Sequence, residues 1–491
     1  MTDQYLVSFD TDRIKEYVFV TDKLREVRGA SRLLTELNTA RAIDAIQSIC
    51  PECERVFFAG GSGAVLAPSQ AKAEEIIAEV EALYRRETIT GSITGACVPL
   101  TPATKTHGFG KRMEAVALKL RQSKDEKACR TLMTIEPYTQ PCAACERYPA
   151  TRVSSIDQQP VCESCYAKRK AFDDYRERHD PSAPEDLNAL GKLARPPNYL
   201  GFIYADGNNM GERLKGLEGV AQYSSLATEL NDLIERIVKE SLALHAIRNG
   251  IRPYESLLVG GDDLMLVTAG DIALPIALAI AESFERGSPA ALERAGLPND
   301  KPLTLGVGVV LAHASFPIAA FQRLTAQLLK RAKRRCAEEM YRVSAIDFMV
   351  VTAAGSSDLN AVREEALTEQ AFVFPHGDRR VRLTQRPYTL PEAQQLLEEI
   401  KTFKRENFPR SQLQFLYEGL FHSQVEAIYR WGKVAGRVRQ KHRQLMDDFN
   451  NKFGDGASGL PPWRRSTARE SKSEHTSALG DLVEIYQFVQ L

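Results

Sequence analysis

Leu257-Leu258-Val259-Gly260-Gly261-Asp262-Asp263-Leu264-Met265-Leu266-Val267 reads as two short apolar strands around a turn, with glycines at its tip and two carboxylates just after them. Glycine accepts the positive φ that tight turns demand, so the stretch folds back on itself as a hairpin. Upstream, Gly201-Phe202-Ile203-Tyr204-Ala205 is a buried strand that runs into Asp206. Between the two, Leu226, Leu230, Leu233 and Ile237 recur at helical spacing, and Asn249-Gly250 stops a helix over 221–248. Downstream the pattern predicts a helix near 271–286, a strand at Leu305–Ala312, a helix opened by Pro317 and a strand at Ala345–Val351. The order is β-α-β-β-α-β with an extra helix, the ferredoxin-like arrangement of palm domains.

The same order occurs once before. Tyr5–Phe9 is a strand, a helix lies within 21–48, and Arg55–Ala59 and Ala64–Ala67 flank a second glycine tip, Gly60-Gly61-Ser62-Gly63. A helix at 69–87, a strand at Ser92–Leu100, a helix near 108–122 and a strand at Thr131–Ile135 follow. Two palm-like domains are therefore expected, the first with no carboxylate on its hairpin and so no metal site there.

Phosphoryl transfer from a nucleoside triphosphate uses two divalent cations about 4 Å apart, held by carboxylates. Magnesium takes oxygen ligands and keeps several waters, so two or three carboxylates suffice. Asp262 and Asp263 at the hairpin tip, with Asp206 ending the neighbouring strand, are the candidate ligands and catalytic residues. Three clustered carboxylates repel one another and hold protons unless a cation is present, so the cluster suits Mg2+ or Mn2+. Gly207-Asn208-Asn209 after Asp206, and the tip glycines Gly260 and Gly261, are expected to lie along the bound phosphates, with backbone N–H groups free to approach them.

Cys142-Ala143-Ala144-Cys145 and Cys162-Glu163-Ser164-Cys165 have the spacing of a tetrahedral, four-thiolate structural zinc site. Cys50-Pro51-Glu52-Cys53 has no second half and reads as incidental; Cys97, Cys129 and Cys336 read as core or neutral positions. An odd total of nine cysteines fits a reducing, cytoplasmic setting better than a disulfide framework. Lys plus Arg and Asp plus Glu both number 64, so no global field attracts nucleic acid and any such contact is a local patch. No signal peptide is read at the start, and no apolar run approaches a bilayer span. The sequence thus reads as an α+β multi-domain protein. Its parts are a first palm over 1–125, a zinc module over 126–177, a linker over 178–199, a second palm over 200–380 and a helical domain over 381–491, with a mobile loop at 454–475.

With these residues in place, the chain resembles the large polymerase/cyclase (signature) subunit of type III CRISPR effector complexes. The resemblance rests on Gly260-Gly261-Asp262-Asp263, on Asp206-Gly207-Asn208-Asn209-Met210-Gly211, on the four-cysteine module between palms, and on Leu24–Leu34. Gly306–Pro317 with the basic helix through Lys333, and Arg386-Pro387-Tyr388-Thr389, are similar too. The resemblance implies that the second palm binds ATP and joins 3′-hydroxyls to α-phosphates, making cyclic oligoadenylates for antiviral defence. Asp206, Asp262 and Asp263 would hold the metals, Lys333 would approach the triphosphate, and the first palm would bind the acceptor ATP. RNA and sibling subunits are the implied partners.

Two departures are visible. Palm one starts at residue 5, so no preceding histidine–aspartate nuclease domain is expected; His179-Asp180 reads as a loop. Asn208 stands where many relatives carry an acid, which weakens the expected metal set. From about 391 the chain turns helical, with Ala393, Leu396, Leu397 and Ile400 on one face. Arg430–Arg443 holds six Lys or Arg and no acid, a solvated face or an RNA contact. Two other functions stand beside the cyclase: a non-catalytic scaffold of an RNA-guided complex, and a stand-alone cyclic-dinucleotide synthase, which would need neither zinc module nor second palm.

Overall fold

The first sheet grows from β1 (Gln4–Asp12), whose middle is buried on both faces. Helices α1 (Ile14–Val18), α2 (Leu24–Glu36) and α3 (Ala42–Ile49) follow, the last two joined by a π-helical stretch at Leu37–Arg41. The hairpin strands β2 (Glu54–Ala59) and β3 (Ser62–Ala67) lead into α4 (Gln70–Thr88), β4 (Ser92–Leu100) and α5 (Phe109–Glu126). The Ser69 side chain caps α4 by accepting from the Lys72 N–H. The strand order is β2-β3-β1-β4, with β1 antiparallel to both neighbours, which is the ferredoxin-like order.

This computed structural model describes residues 4–100, 108–127, 138–154, 157–179, 182–299, 301–352, 367, 380–456, 460–466 and 474–491. The strand expected at Thr131–Ile135, the core position expected for Cys129, and Asp180 lie outside the described residues, while His179, expected in a loop, ends the helix over Glu163–His179.

The cysteine-bearing segment consists of β5 (Arg152–Val153), β6 (Pro160–Val161) and α6 (Glu163–His179). The stretch read as a linker contains α7 (Leu187–Lys192), capped by Asp186. The second sheet begins with β7 (Tyr199–Gly207). Then come α8 (Met210–Lys215), α9 (Val220–Ala243), β8 (Tyr254–Gly260), β9 (Asp263–Ala269) and α10 (Ala273–Arg294). After them come β10 (Leu305–His313), α11 (Ile318–Glu338), β11 (Ala345–Val351), β12 (Arg380–Arg382) and β13 (Tyr388–Thr389). The order β13-β11-β10-β7-β9-β8 contains the ferredoxin-like four and adds β11, parallel to β10 through the α11 crossover.

Helix α10 runs past the expected stop at 286, through Gly287-Ser288-Pro289. Pro289 has no N–H for the Glu285 carbonyl, and the Ser288 hydroxyl donates to that carbonyl instead (3.2 Å) while accepting from the Leu303 N–H (2.8 Å).

The palms share their cores. Val7 and Phe9 of the first belong to the same apolar cluster as Phe202, Tyr204 and Phe321 of the second, and Phe19 meets Phe202 edge-on at 6.0 Å. The carboxy-terminal part is α12 (Leu390–Arg405), α13 (Arg410–Leu420), α14 (Gln424–Ala435), α15 (Gln440–Phe453), β14 (Arg464–Ser466), β15 (Glu474–Thr476) and α16 (Leu479–Ile485). A capping box between Thr389 and Glu392 starts α12. Among the described residues, no helix is long and apolar enough to cross a membrane.

Two expectations change. In the stretch 454–475 expected to be mobile, Trp463 is buried, β14 pairs with β15, and β15 pairs with β12, in the order β12-β15-β14. The polar composition hid a strand, β15, whose partner Arg380–Arg382 lies more than ninety residues upstream. Cys50 and Cys53, read as incidental, are joined by a disulfide across the turn after α3; the Cys53 N–H to Cys50 carbonyl bond (3.0 Å) brings their Cα atoms to 5.4 Å.

Arg386 fastens the carboxy-terminal helix to the second sheet. Its guanidinium, 2% exposed, meets Asp481 at 2.9 Å, Glu484 at 2.8 Å and the Phe348 carbonyl at 2.8 Å, and the Tyr388 hydroxyl donates to Asp481 (2.6 Å). Breaking one side of such a pair leaves an uncompensated buried charge. Arg386→Met is therefore expected to destabilise the protein by about 3–5 kcal/mol, read as a lowered midpoint in urea unfolding.

Candidate active site

The β8–β9 turn places the acidic site. Gly261 holds φ +63°, and its N–H donates to Oδ1 of Asn231 on α9 (3.2 Å), so a helix side chain pins the tip. Gly260 pairs with Asp263 across the hairpin. Ala205 of β7 pairs with Leu264, so the antiparallel register brings Asp206 opposite Asp263. Asp262 lies beside Gly207, where a Cβ would sit 2.7 Å from the Asp262 carboxylate. All three aspartates therefore share one end of the sheet.

Lys333 reaches them from α11. Its amine pairs with Asp206 and donates to the Gly207 carbonyl (3.0 Å). Gly306, opposite Asp206 on β10, makes room for this: a Cβ there would stand 2.6 Å from Lys333 Cγ. From the other side Lys15 of α1 donates to the Tyr204 hydroxyl and stacks over its ring at 4.5 Å. Tyr204 pairs with Met265, so it shares a face of the sheet with Asp263 two positions earlier.

Burial, then the charges of Asp206 and Asp263, push the Asp262 carboxyl up to about 7. Burial and Asp206 push Asp263 up to about 6, against the opposing pull of Lys15 and Lys333. Burial foremost, with the neighbouring aspartates, also raises Tyr204. These are crowded hard-oxygen donors that a divalent cation would relieve, and the donor set fits Mg2+ or Mn2+. They are less tightly gathered than a closed ion cage. Among the described residues, only the four cysteines form a group of three or more ligand atoms all within 4.8 Å of one another.

The residues expected along the phosphates divide. Asn208 turns inward: its N–H donates to the Thr304 carbonyl (2.9 Å) and its amide to Thr304 Oγ1 (3.0 Å), so neither is free for a phosphate. Asn209, at φ 56°, precedes the short α8. The Gly261 N–H is taken by Asn231, and Gly260 serves a contact between palms. A Cβ on Gly260 would lie 2.8 Å from Gly60 Cα, and one on Gly60 would lie 2.9 Å from the Gly260 carbonyl. The two glycine tips thus touch backbone to backbone. Gly260→Ala is expected to separate them and lower turnover about tenfold or more. Gly211→Ala, with nothing within 4 Å of its Cβ, is the control expected to change little. Steady-state rates of the two variants check this.

At the matching end of the first palm stand Asp10 and Asp12. Lys124 lies 2.6 Å from Asp10 and 3.1 Å from Asp12, Lys127 lies 3.5 Å from Asp12, and Ser62 donates to Asp10. Burial alone would raise Asp12, but Ser92, Thr94 and Lys124 together hold it below the usual carboxylate range. These acids already have lysine partners.

Cys142, Cys145, Cys162 and Cys165 are all buried, with 3.9 Å between the sulfurs of Cys145 and Cys162. Four sulfurs around one zinc are separated by about 3.8 Å, so the residues fit that ion. Lys168, itself buried, supplies positive charge beside the thiols; burial lowers its amine to about 8 against their pull. Its amine donates to the Tyr17 carbonyl (2.6 Å), tying this segment to α1.

Neither Lys15, Tyr204 nor Asn231 stands out in the sequence. Each works through a neighbour far along the chain, and only Tyr204, next but one to Asp206 on a strand, carries a local hint.

Residues 199–340 match the family model of the Cas10/Cmr2 second palm domain. Among solved structures, the Csm1–Csm4 cassette in complex with cA4 is similar at 12% identity, over 99% of this chain and 70% of that one, with TM-score 0.60. The cassette in complex with pppApApA is similar at 12% identity, over 99% and 69%, with TM-score 0.62. Csm1 in T. onnurineus is similar at 13% identity, over 100% and 70%, with TM-score 0.59. Identities this low speak for the shared fold. No curated protein matches the sequence.

Proposed function

We propose, from the premise that this chain is a Cas10-like signature subunit, that its second palm is a divalent-metal-dependent nucleotidyltransferase converting ATP to cyclic oligoadenylates in type III CRISPR defence. The observation that carries the reading is the convergence of Asp206, Asp262 and Asp263 at one sheet end, where burial first and then their mutual repulsion raise Asp262 and Asp263. The cA4 and pppApApA complexes of structurally similar proteins support an oligoadenylate product. The cassette's second subunit supports a Csm4-like partner for this chain.

Asp206, Asp262 and Asp263 would hold the cations, and Mg2+ or Mn2+ bound there supplies activation of the attacking 3′-hydroxyl and neutralisation of the triphosphate. Lys333 contributes a cation at the Asp206 end, available to phosphate charge once a metal takes its place on the carboxylate. Gly207 keeps the strand end flat, so that Asp262 can lie over it and face the nucleotide. The first palm, whose hairpin tip abuts the catalytic one, offers the second nucleotide surface. Its Asp10 and Asp12 are neutralised by lysines, which suits phosphate binding rather than metal binding. The four cysteines hold a structural zinc between the palms.

Purified protein, alone and with its partner subunits and a target RNA, is incubated with labelled ATP and Mg2+ or Mn2+, and products are resolved by mass spectrometry. Oligoadenylates are the expected result. No product from any nucleotide under any of these conditions overturns the reading and leaves a scaffold subunit.

A further inference from the structure

The acidic cluster is flanked by two lysines, and only one belongs to the palm that carries it. Lys333 comes from α11, in the same sheet-and-helix unit. Lys15 comes from α1 of the first palm, 189 residues from the tyrosine it meets. Its ammonium donates to the Tyr204 hydroxyl, and Tyr204 pairs with Met265, two positions after Asp263, so Tyr204 and Asp263 share one face of the sheet. A phenol that accepts from a cation keeps its one proton to give to a carboxylate on that face, and its ring cannot rotate away, since Tyr204 is 4% exposed.

Helix α1 is itself secured. Its first residue, Ile14, packs against Gly61 of the first tip, 2.5 Å from where a Cβ would stand, and the Tyr17 carbonyl accepts from Lys168 of the cysteine segment (2.6 Å). The Lys15 side chain is thereby held at both ends of its short helix.

We propose that Lys15 is a positioning residue for the second palm's metal site, fixing the Asp263 carboxylate through Tyr204. The inference rests on the nucleotidyltransferase reading only in taking Asp263 as a metal ligand. It makes the metal site incomplete without the first palm: docking of the palms sets the orientation of a ligand, beyond burying apolar surface.

A cation acting only by its charge and a cation holding a ligand in place have opposite consequences when removed. Loss of a nearby positive charge lets Mn2+ bind more tightly, whereas loss of a ligand's support weakens it. The test is Mn2+ titration of the full chain, followed by the electron paramagnetic resonance signal of free Mn2+, for wild type, Lys15→Met, Lys15→Arg, Tyr204→Phe and the Lys15→Met/Tyr204→Phe double variant. Expected are about five- to tenfold weaker binding for Lys15→Met and for Tyr204→Phe, no further loss in the double variant, and recovery to within about twofold for Lys15→Arg. Unchanged or tighter binding in Lys15→Met, or losses that multiply in the double variant, overturn the proposal.

ATP turnover by the same proteins separates the two readings. A wild type that binds Mn2+ with this pattern yet makes no product sinks the cyclase and leaves Lys15 in its role. A wild type that makes product while Lys15→Met binds Mn2+ normally does the reverse. If Lys15→Met raises KM for ATP and spares Mn2+ affinity, the lysine contacts substrate directly and the positioning role fails.

Discussion

Asp262→Asn/Asp263→Asn is expected to abolish oligoadenylate synthesis, by about a thousandfold or more, and at the same time to stabilise the metal-free protein. Both effects come from burying neighbouring carboxylates together. Asp262 is lifted from an ordinary 3.8 to about 7, with burial as the main cause and the Asp206 and Asp263 charges next. A carboxyl raised in the folded state favours folding below its unfolded value, and that contribution is lost as pH rises through the folded value. The window here runs from about 4 to about 7. Above pH 7 the ionised pair strains the fold by an amount on the order of 2 kcal/mol after allowance for partial exposure. The neutral amides remove that strain. Thermal unfolding without metal should therefore show the double variant more stable than wild type at pH 8, with the gap narrowing by pH 5.5. Equal stability at both values, or retained synthesis, contradicts the assignment. Added Mn2+ should raise the wild-type midpoint and leave the variant's unchanged, because only the wild type keeps the ligands.

The second large effect belongs to the cysteines. Cys142→Ser/Cys145→Ser is expected to lose the bound zinc, measured by mass spectrometry of the metal, and to lower Tm by at least about 10 °C. Zinc in small four-ligand sites contributes about 10–16 kcal/mol of apparent binding free energy, and the apolar core around these cysteines is small. The damage should spread. Lys168 neutralises the thiolates and also grips the Tyr17 carbonyl, and α1 carries Lys15 two residues before Tyr17. Without the zinc, Lys168 loses its counter-charge and the support of α1 loosens. A variant that keeps its zinc, or loses it with no change in Tm, shows that another set of contacts carries the segment.

Much of the site could be read from the chain because its determinants are local. A glycine pair between two apolar runs makes a hairpin whatever surrounds it, and the continuous apolar runs of β7 and β9 mark them as strands buried on both faces. Asp206, Asp262 and Asp263 are thus brought together by register alone. The two C-x-x-C pairs likewise carry their spacing within one segment, and the repeated hairpin announced the second ferredoxin-like unit.

What the sequence could not supply depended on packing between residues far apart along it. Asn208 was expected to face a phosphate, but Thr304, almost a hundred positions on, takes both its backbone and its amide. The stretch 454–475 is polar, yet β15 pairs with Arg380–Arg382 as well as with β14, and no local pattern records a partner that distant. Helix α10 crosses a Gly-Ser-Pro triplet because Ser288 satisfies the carbonyl that Pro289 strands. Sequence alone determined two palms, the acidic tip and the four-thiol module, since each follows from backbone geometry and spacing over a few residues. Only the tertiary structure decided that Gly60 touches Gly260 and that Lys15 reaches Tyr204. Those contacts exist because two sheets bury a common core, and burial of shared apolar surface leaves no mark on the spacing of either partner.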